Sequence, residues 1–153
     1  MALIYLGLGS NLGQKEEFIN QAFIEIEKQI GFIKARSAFF SSEPWGFISS
    51  NNFLNACIAV ETTLTPQRCL ITIKEIERRL GRLKIVSEGY KDRVIDIDIL
   101  FYDQIILHED HLTIPHPLLH QRLFVLNPLS EIAPNLLHPV FNKTIDALRR
   151  EIS

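Results

Sequence analysis

The chain has 153 residues, 46% hydrophobic and 22% charged, which suits one domain with a real core; a single domain over residues 1–153 is the expectation. A formal charge of −2 argues against a general nucleic-acid binder. The first residues, Met1-Ala2-Leu3-Ile4-Tyr5-Leu6, lack a basic region and are too short to span a bilayer, so no export or membrane role is expected. Cys57 sits in an apolar strand and Cys69 on an apolar helix face, which reads as two buried thiols in a reducing cytoplasm.

Residues 2–8 form an apolar run that stops at glycines and reads as a buried central strand. Phe18, Ile19, Ala22, Phe23, Ile26 and Ile30 follow helical spacing, with Gly31 as the helix stop. Residues 32–41 read as a strand, followed by a loop marked by Pro44, Gly46 and a Ser/Asn cluster. Residues 53–62 read as another strand, with Leu54, Ala56, Ile58 and Val60 on one face. Thr65-Pro66 predicts an N-cap and first turn, and Cys69, Ile73, Ile76 and Leu80 form the next helical stripe up to Gly81. A charged loop, residues 82–92, leads to Arg93-Val94-Ile95-Asp96-Ile97-Asp98-Ile99-Leu100, a strand by its β-branched alternation. A hairpin near residues 105–114 and short helices broken by Pro115, Pro117, Pro128, Pro134 and Pro139 complete the chain. The fold class is α+β: a ferredoxin-like β-α-β-β-α-β core with an added hairpin and short C-terminal helices, in three α/β/α layers.

Asp96 and Asp98 are two apart on a strand, so they share a face about 6.6 Å apart. Like charges so placed destabilise a strand unless a cation offsets them, and Mg²⁺ takes carboxylate oxygens while keeping positions open for phosphate. The β-α-β-β-α-β order brings the ends of the first and second strands to the same rim as the starts of the third and fourth. Gly9-Ser10-Asn11, Ser42-Glu43-Pro44-Trp45, Phe53 with Asn55, and Arg93 with Asp96 then converge. Phe53 and Asn55 offer an aromatic plane and a carboxamide to a flat heterocycle.

Other motifs are weaker. Gly7, Gly9 and Gly13 are one residue off the dinucleotide fingerprint, and the following element order is wrong for it. Arg82 and Lys84, in a loop beside the carboxylates, suit phosphate oxygens, whereas the remaining basic residues of the second helix read as a solvated face. Glu77 faces away from the apolar stripe and reads as surface. His116 and His120 are spaced for zinc, but the prolines flanking His116 oppose a regular helix, so His116 reads better as a hydrogen-bond donor. His108, His111 and His138 read as surface residues.

Taken in order, the segments Gly7-Leu8-Gly9-Ser10-Asn11-Leu12, Glu43-Pro44-Trp45-Gly46, Phe53-Leu54-Asn55-Ala56, Glu77-Arg78-Arg79-Leu80-Gly81-Arg82, Arg93-Val94-Ile95-Asp96-Ile97-Asp98-Ile99 and Leu112-Thr113-Ile114-Pro115-His116-Pro117 resemble the 6-hydroxymethyl-7,8-dihydropterin pyrophosphokinase family. Arg122, Phe124 and Asn127-Pro128-Leu129 also fit. The resemblance implies ATP- and Mg²⁺-dependent transfer of the β,γ-diphosphate to the pterin hydroxymethyl oxygen, releasing AMP, in folate synthesis. It implies that Asp96 and Asp98 hold two Mg²⁺ ions and that Arg82 and Arg93 neutralise charge during transfer. Leu70, Lys74, Glu77, Ile99 and Thr113 would line the ATP site, with Lys84, Tyr90, Arg93, His116 and Arg122 contacting the nucleotide. The pterin would stack between Phe53 and Phe124, with Asn55, Asp96 and the segment Ser42, Glu43, Pro44, Trp45 reading its polar edge. The chain departs from the pattern at Tyr90-Lys91-Asp92, where Trp-Gly-Pro is frequent, and at Lys84, His111 and Pro117. A monomer is the default state.

Two other readings compete for these residues. A metal-dependent phosphohydrolase needs a water-activating base, and Glu43 is the obvious candidate, though its segment fits the pterin role better. A nucleic-acid-binding ferredoxin-like module needs basic and aromatic residues spread over an open sheet face, where Asp96 and Asp98 would repel a phosphate backbone.

Overall fold

The computed structural model describes residues 1–43, 52–81 and 94–153. Strand β1 (Ala2–Ser10) leads to helix α1 (Lys15–Gln29), then β2 (Gly31–Arg36), β3 (Phe40–Ser42) and β4 (Phe53–Thr62). Helix α2 (Pro66–Gly81) precedes β5 (Asp96–Tyr102), and β6 (Leu107–Glu109) and β7 (Leu112–Ile114) form a separate hairpin. A short 3₁₀ turn (Leu119–Gln121), α3 (Leu123–Ile132) and α4 (Ile145–Ile152) follow. The main sheet is antiparallel with order β2-β4-β1-β5, and β3 adds to β4.

Alternation along the strands sends side chains to two cores. Ile4, Leu6 and Leu8 of β1, with Ile58 and Val60 of β4 and Ile97 and Ile99 of β5, pack against the apolar stripes of α1 and α2. On the opposite face Cys57, Leu100 and Phe101 pack against Leu126 and Leu129 of α3 and Leu148 of α4. Strict alternation would send Leu100 and Phe101 to different faces. They share one because Tyr5 pairs with Phe101 while Leu6 pairs with Ile99, which leaves Leu100 as the extra residue of a bulge. Phe101 is fully buried there, a burial worth about 1.5–3 kcal/mol.

Several expectations hold. The strand over 53–62 is as read, and Thr65 caps α2 by accepting from the Arg68 N–H at 3.1 Å. Both cysteines are free and buried, and burial pushes both thiols up, Cys69 to about 11, so neither is poised as a nucleophile.

Other expectations change. The strand expected over 32–41 is two strands, β2 and β3, separated by residues 37–39. Helix α1 ends at Gln29 with Ile30 as a right-handed cap, so Gly31 is not the helix stop. A Cβ on Gly31 would lie 1.9 Å from the Glu61 carbonyl oxygen, so glycine is required for the close approach of β2 to β4. Pro128 lies inside α3 instead of breaking it, and His138 is buried, its Nδ1 accepting from the Val140 and Phe141 amides at 3.2 Å each.

The outer strand β2 is unsuited to pairing with another chain. Lys34 is an extra residue in its ladder to β4, and Glu27 of α1 accepts a hydrogen bond from the Ile33 N–H at 2.9 Å. Among the described residues, no helix is long and apolar enough to cross a membrane.

The two glycines bordering these elements differ sharply. Gly31→Ala should lower the urea midpoint by an amount equivalent to about 3 kcal/mol or more. Gly81→Ala has nothing within 4 Å of the new methyl and should be neutral or stabilising by about 0.5–1 kcal/mol. Chemical denaturation of the two variants side by side checks this.

Candidate active site

The register brings the rim residues together. Gly9 pairs with Asn55 on one side and Asp96 on the other, Gly7 pairs with Cys57 and Asp98, and Ser42 pairs with Phe53. Cross-strand partners share a face. Phe53, Asn55, Asp96 and Asp98 therefore stand on the face that carries α3, separated by the two glycines. With no side chain at Gly7 or Gly9, the sheet there forms a trough. A Cβ on Gly9 would come 3.2 Å from Asn55 Oδ1 and 3.4 Å from the Phe53 ring.

Asn55 is buried, and its orientation follows from its partners. The side-chain amide donates to Ser42 Oγ at 2.7 Å and to the Phe40 carbonyl at 3.2 Å. Its Oδ1 is thereby left over Gly9 as an acceptor facing the trough. Phe124, the second residue of α3, packs on the same face, and the Arg122 guanidinium lies 5.4 Å from the centre of its ring.

A second recess lies along β5, the last strand of the sheet. A cleft of about 330 Å³ runs between α2, β5 and the β6–β7 hairpin. It is lined by five expected nucleotide contacts, Leu70, Lys74, Ile99, Thr113 and His116, and by Asp98. His111 and Pro117, noted as departures from the family pattern, also line it, and so do Ile97, Asp110 and Leu112, for which the sequence suggested no such role. Asp110 and His111 form the hairpin turn, and only the pairing of β6 with β7 brings them over the cleft. Asp98 thus borders the cleft while sharing a sheet face with the trough, so the two recesses meet at β5.

His116 is held on both sides. Its N–H donates to the Leu100 carbonyl at 3.0 Å, and its Nδ1 accepts from the Leu118 N–H at 3.1 Å. An accepting Nδ1 puts the proton of the neutral ring on Nε2. Burial, aided by the nearby Arg122 charge, pushes His116 down to about 4, so it is an uncharged donor near neutral pH.

Glu77 is not the surface residue its position suggests. Its side chain is 15% exposed, Oε2 accepts from the Ile97 N–H at 2.7 Å, and Oε1 lies 3.3 Å from Lys74 Nζ. Burial raises its pKa and the Asp96 charge adds to the rise; the Ile97 amide and Lys74 oppose it. Of the other expected site residues, Ser42 ends β3 and Glu43 is the last residue described before 44–51. Pro44, Trp45, Arg82, Lys84, Tyr90 and Arg93 lie outside the described residues.

Two adjoining carboxylates beside a cleft carrying a lysine and a neutral histidine donor suit an enzyme that handles a polyphosphate next to a flat second substrate. Sequence comparison narrows this. The profile of 7,8-dihydro-6-hydroxymethylpterin-pyrophosphokinase (HPPK) matches residues 5–134, and the chain belongs to that family. It is 39% identical over 151 residues to the Aquifex aeolicus 2-amino-4-hydroxy-6-hydroxymethyldihydropteridine pyrophosphokinase, covering 99% of this chain and 92% of the relative. It is 43% identical over 141 residues to the Porphyromonas gingivalis enzyme of the same name, covering 91% of this chain and 95% of that one. The Dictyostelium discoideum folic acid synthesis protein FOL1 is 42% identical over 147 residues, which are 96% of this chain and 22% of that much longer relative. The fold is shared with the crystal structure of wild-type Plasmodium falciparum HPPK-DHPS bound to SDX-DHP, at a TM-score of 0.75 and 19% identity. That match covers 99% of this chain but 43% of the solved one.

The lowered pKa of His116 has a consequence for stability. The unfolded chain binds a proton at about pH 6.5, and the folded site resists it down to about pH 4. The native state should therefore lose stability as pH falls through that window and gain it as pH rises. NMR titration should show the His116 ring neutral at pH 6, and denaturant midpoints of His116→Gln should depend less on pH between 4 and 6.5 than those of the native chain.

Proposed function

We propose that the chain transfers the β,γ-diphosphate of ATP to the hydroxymethyl oxygen of 6-hydroxymethyl-7,8-dihydropterin, giving the pterin diphosphate and AMP in tetrahydrofolate biosynthesis. Family membership supports the reaction class. The meeting of trough and cleft at Asp98 carries the site reading, because diphosphate transfer needs the acceptor oxygen beside the nucleotide phosphates.

The trough suits the pterin. Phe53 and Phe124 offer ring faces, and Asn55 Oδ1 offers an acceptor to the N–H groups of the heterocycle. Ser42, through its bond from Asn55, fixes that acceptor, and Glu43, Pro44 and Trp45 complete the polar edge in this reading. The cleft suits ATP: Leu70, Ile99 and Leu112 give apolar walls for the base, and Lys74, Thr113 and His116 give donors. Lys84, Tyr90 and Arg122 join them, Arg122 being held beside Phe124.

Asp96 and Asp98 fit magnesium: both are hard oxygen donors on one face, opposite glycines that leave room for ligands. Asp96 and Asp98 would hold the ions; among the described residues no third His, Cys, Asp or Glu joins them in a cluster. When bound, the ions supply neutralisation of the phosphate charge. The pterin oxygen forms its bond to the β-phosphorus, the bond from that phosphorus to the oxygen bridging it to the α-phosphate breaks, AMP takes the electron pair, and the hydroxyl proton leaves to solvent. Arg82 and Arg93 offset the charge on the transferring group.

The core is assigned to the ferredoxin-like β-α-β-β-α-β pattern in three layers; the antiparallel order β2-β4-β1-β5, with α1 and α2 on one face and α3 and α4 on the other, supports this. In this reading the protein acts as a monomeric single domain in the cytoplasm.

Incubation with ATP, Mg²⁺ and the pterin should give AMP only when pterin is present, and ADP would overturn the assignment. Asp96→Asn and Asp98→Asn should each lower the rate by about 100-fold or more without lowering the melting temperature. Near-normal turnover in both would remove the carboxylates from the metal site.

A further inference from the structure

The carboxylate of Glu77 lies on the helix that walls the cleft but is not among the cleft-lining groups. It is turned onto β5. Its Oε2 accepts the N–H of Ile97, the peptide group between the two aspartates, at 2.7 Å. We propose that Glu77 is a positioning residue for the aspartate pair, pinning the Asp96-Ile97-Asp98 segment so that both carboxylates meet the metal without rearrangement. The proposal rests on the functional reading above.

The geometry gives the reason. Among the described residues β5 ends the sheet, so one of its sides has β1 and the other has no strand neighbour. On the β1 side Asp96 and Asp98 pair with Gly9 and Gly7. β5 begins at Asp96, so the pair of like-charged residues on one face lies at a strand terminus. A charge-assisted bond to the intervening amide holds that terminus from its open side. The clamp is itself fixed. Ile73, Ile76 and Leu80 bury α2 in the core around Glu77, and Lys74 Nζ, 3.3 Å from Oε1, orients the carboxylate. Ile97 packs into the same core. Glu27 makes the same kind of bond to Ile33 on β2, far along the sheet from the aspartates, and provides an internal control.

The test begins with the wild-type protein. If it forms no pterin-dependent AMP, the functional reading fails before any Glu77 variant is made. Mg²⁺ is then titrated calorimetrically into protein saturated with α,β-methylene-ATP and pterin. Glu77→Ala should raise the half-saturating Mg²⁺ concentration by roughly 10–100-fold, the usual cost of losing a group that orients a metal ligand. Pterin affinity without metal should not change. In metal-free protein the Ile97 amide should be protected from hydrogen exchange, and Glu77→Ala should abolish that protection. Glu77→Gln keeps an oxygen to accept the bond and should recover most of the Mg²⁺ affinity and the protection. Glu27→Ala should lower stability and leave the Mg²⁺ titration unchanged. The proposal is overturned if Glu77→Ala leaves Mg²⁺ binding intact, if Glu77→Gln is as impaired as Glu77→Ala, or if Glu27→Ala shifts Mg²⁺ binding equally.

Discussion

The pairing of Gly9 with Asp96 and of Gly7 with Asp98 is the constraint on which the site depends. Two carboxylates within a sheet need space on their own face and a reason not to be replaced by apolar packing. Glycine on the neighbouring strand gives the space. A slip of β1 by one residue would put Leu8 beside the aspartates and Gly7 and Gly9 in the core. The register is held against that slip because Ile4, Leu6 and Leu8 fill the core under α1 and α2. The bulge at Leu100 then divides β5. Before it, the α3-side face carries Asp96 and Asp98; after it, both Leu100 and Phe101 are delivered to the second core. One irregularity lets a single strand serve chemistry at one end and packing at the other.

Charge is distributed in keeping with that division. Burial and Arg122 keep His116 neutral, so its Nε2–H can donate a hydrogen bond without adding a titrating charge beside Asp98. The Lys74 ammonium is shared with Glu77, and the carboxylate is itself occupied by a backbone amide. The described lining of the cleft, with Lys74 against Asp98 and Asp110, is therefore net negative, and in the proposed reading a polyphosphate needs further cations there.

What was legible in the sequence follows from what is local. The alternation of residues 53–62 and of Asp96 to Ile99 is a period-two pattern that burial enforces, and both segments are strands with the faces expected. The rim was legible because element order alone sets which strand ends meet. The bulge was not, since Leu100 and Phe101 are both apolar and either face would accept them. Gly31 looked like a helix stop because its requirement, a 1.9 Å conflict with the Glu61 carbonyl, is made by a residue thirty positions away. Pro128 looked like a breaker, yet it is the sixth of the ten residues of α3 and the helix runs through it. Asp110 and His111 carry no periodic signal and reach the cleft only through a hairpin turn. Glu77 was read as solvated because helical spacing shows which face a residue leaves from, not where a long side chain ends.

The two outer strands show how one hazard is handled in two ways. An unpaired strand edge offers backbone donors and acceptors to whatever approaches. On β2 that offer is withdrawn by the extra residue Lys34 and by Glu27 on the Ile33 amide. On β5 a glutamate takes one amide, at Ile97, while the strand beyond it borders the cleft together with Leu112 and Thr113 of β7. The hairpin stands off from β5 as a separate sheet instead of joining it, and the gap between them is wide enough for a ligand. In the proposed reading the open edge beside the aspartates serves binding: had β7 paired with β5, the sheet would gain a strand and the cleft would close.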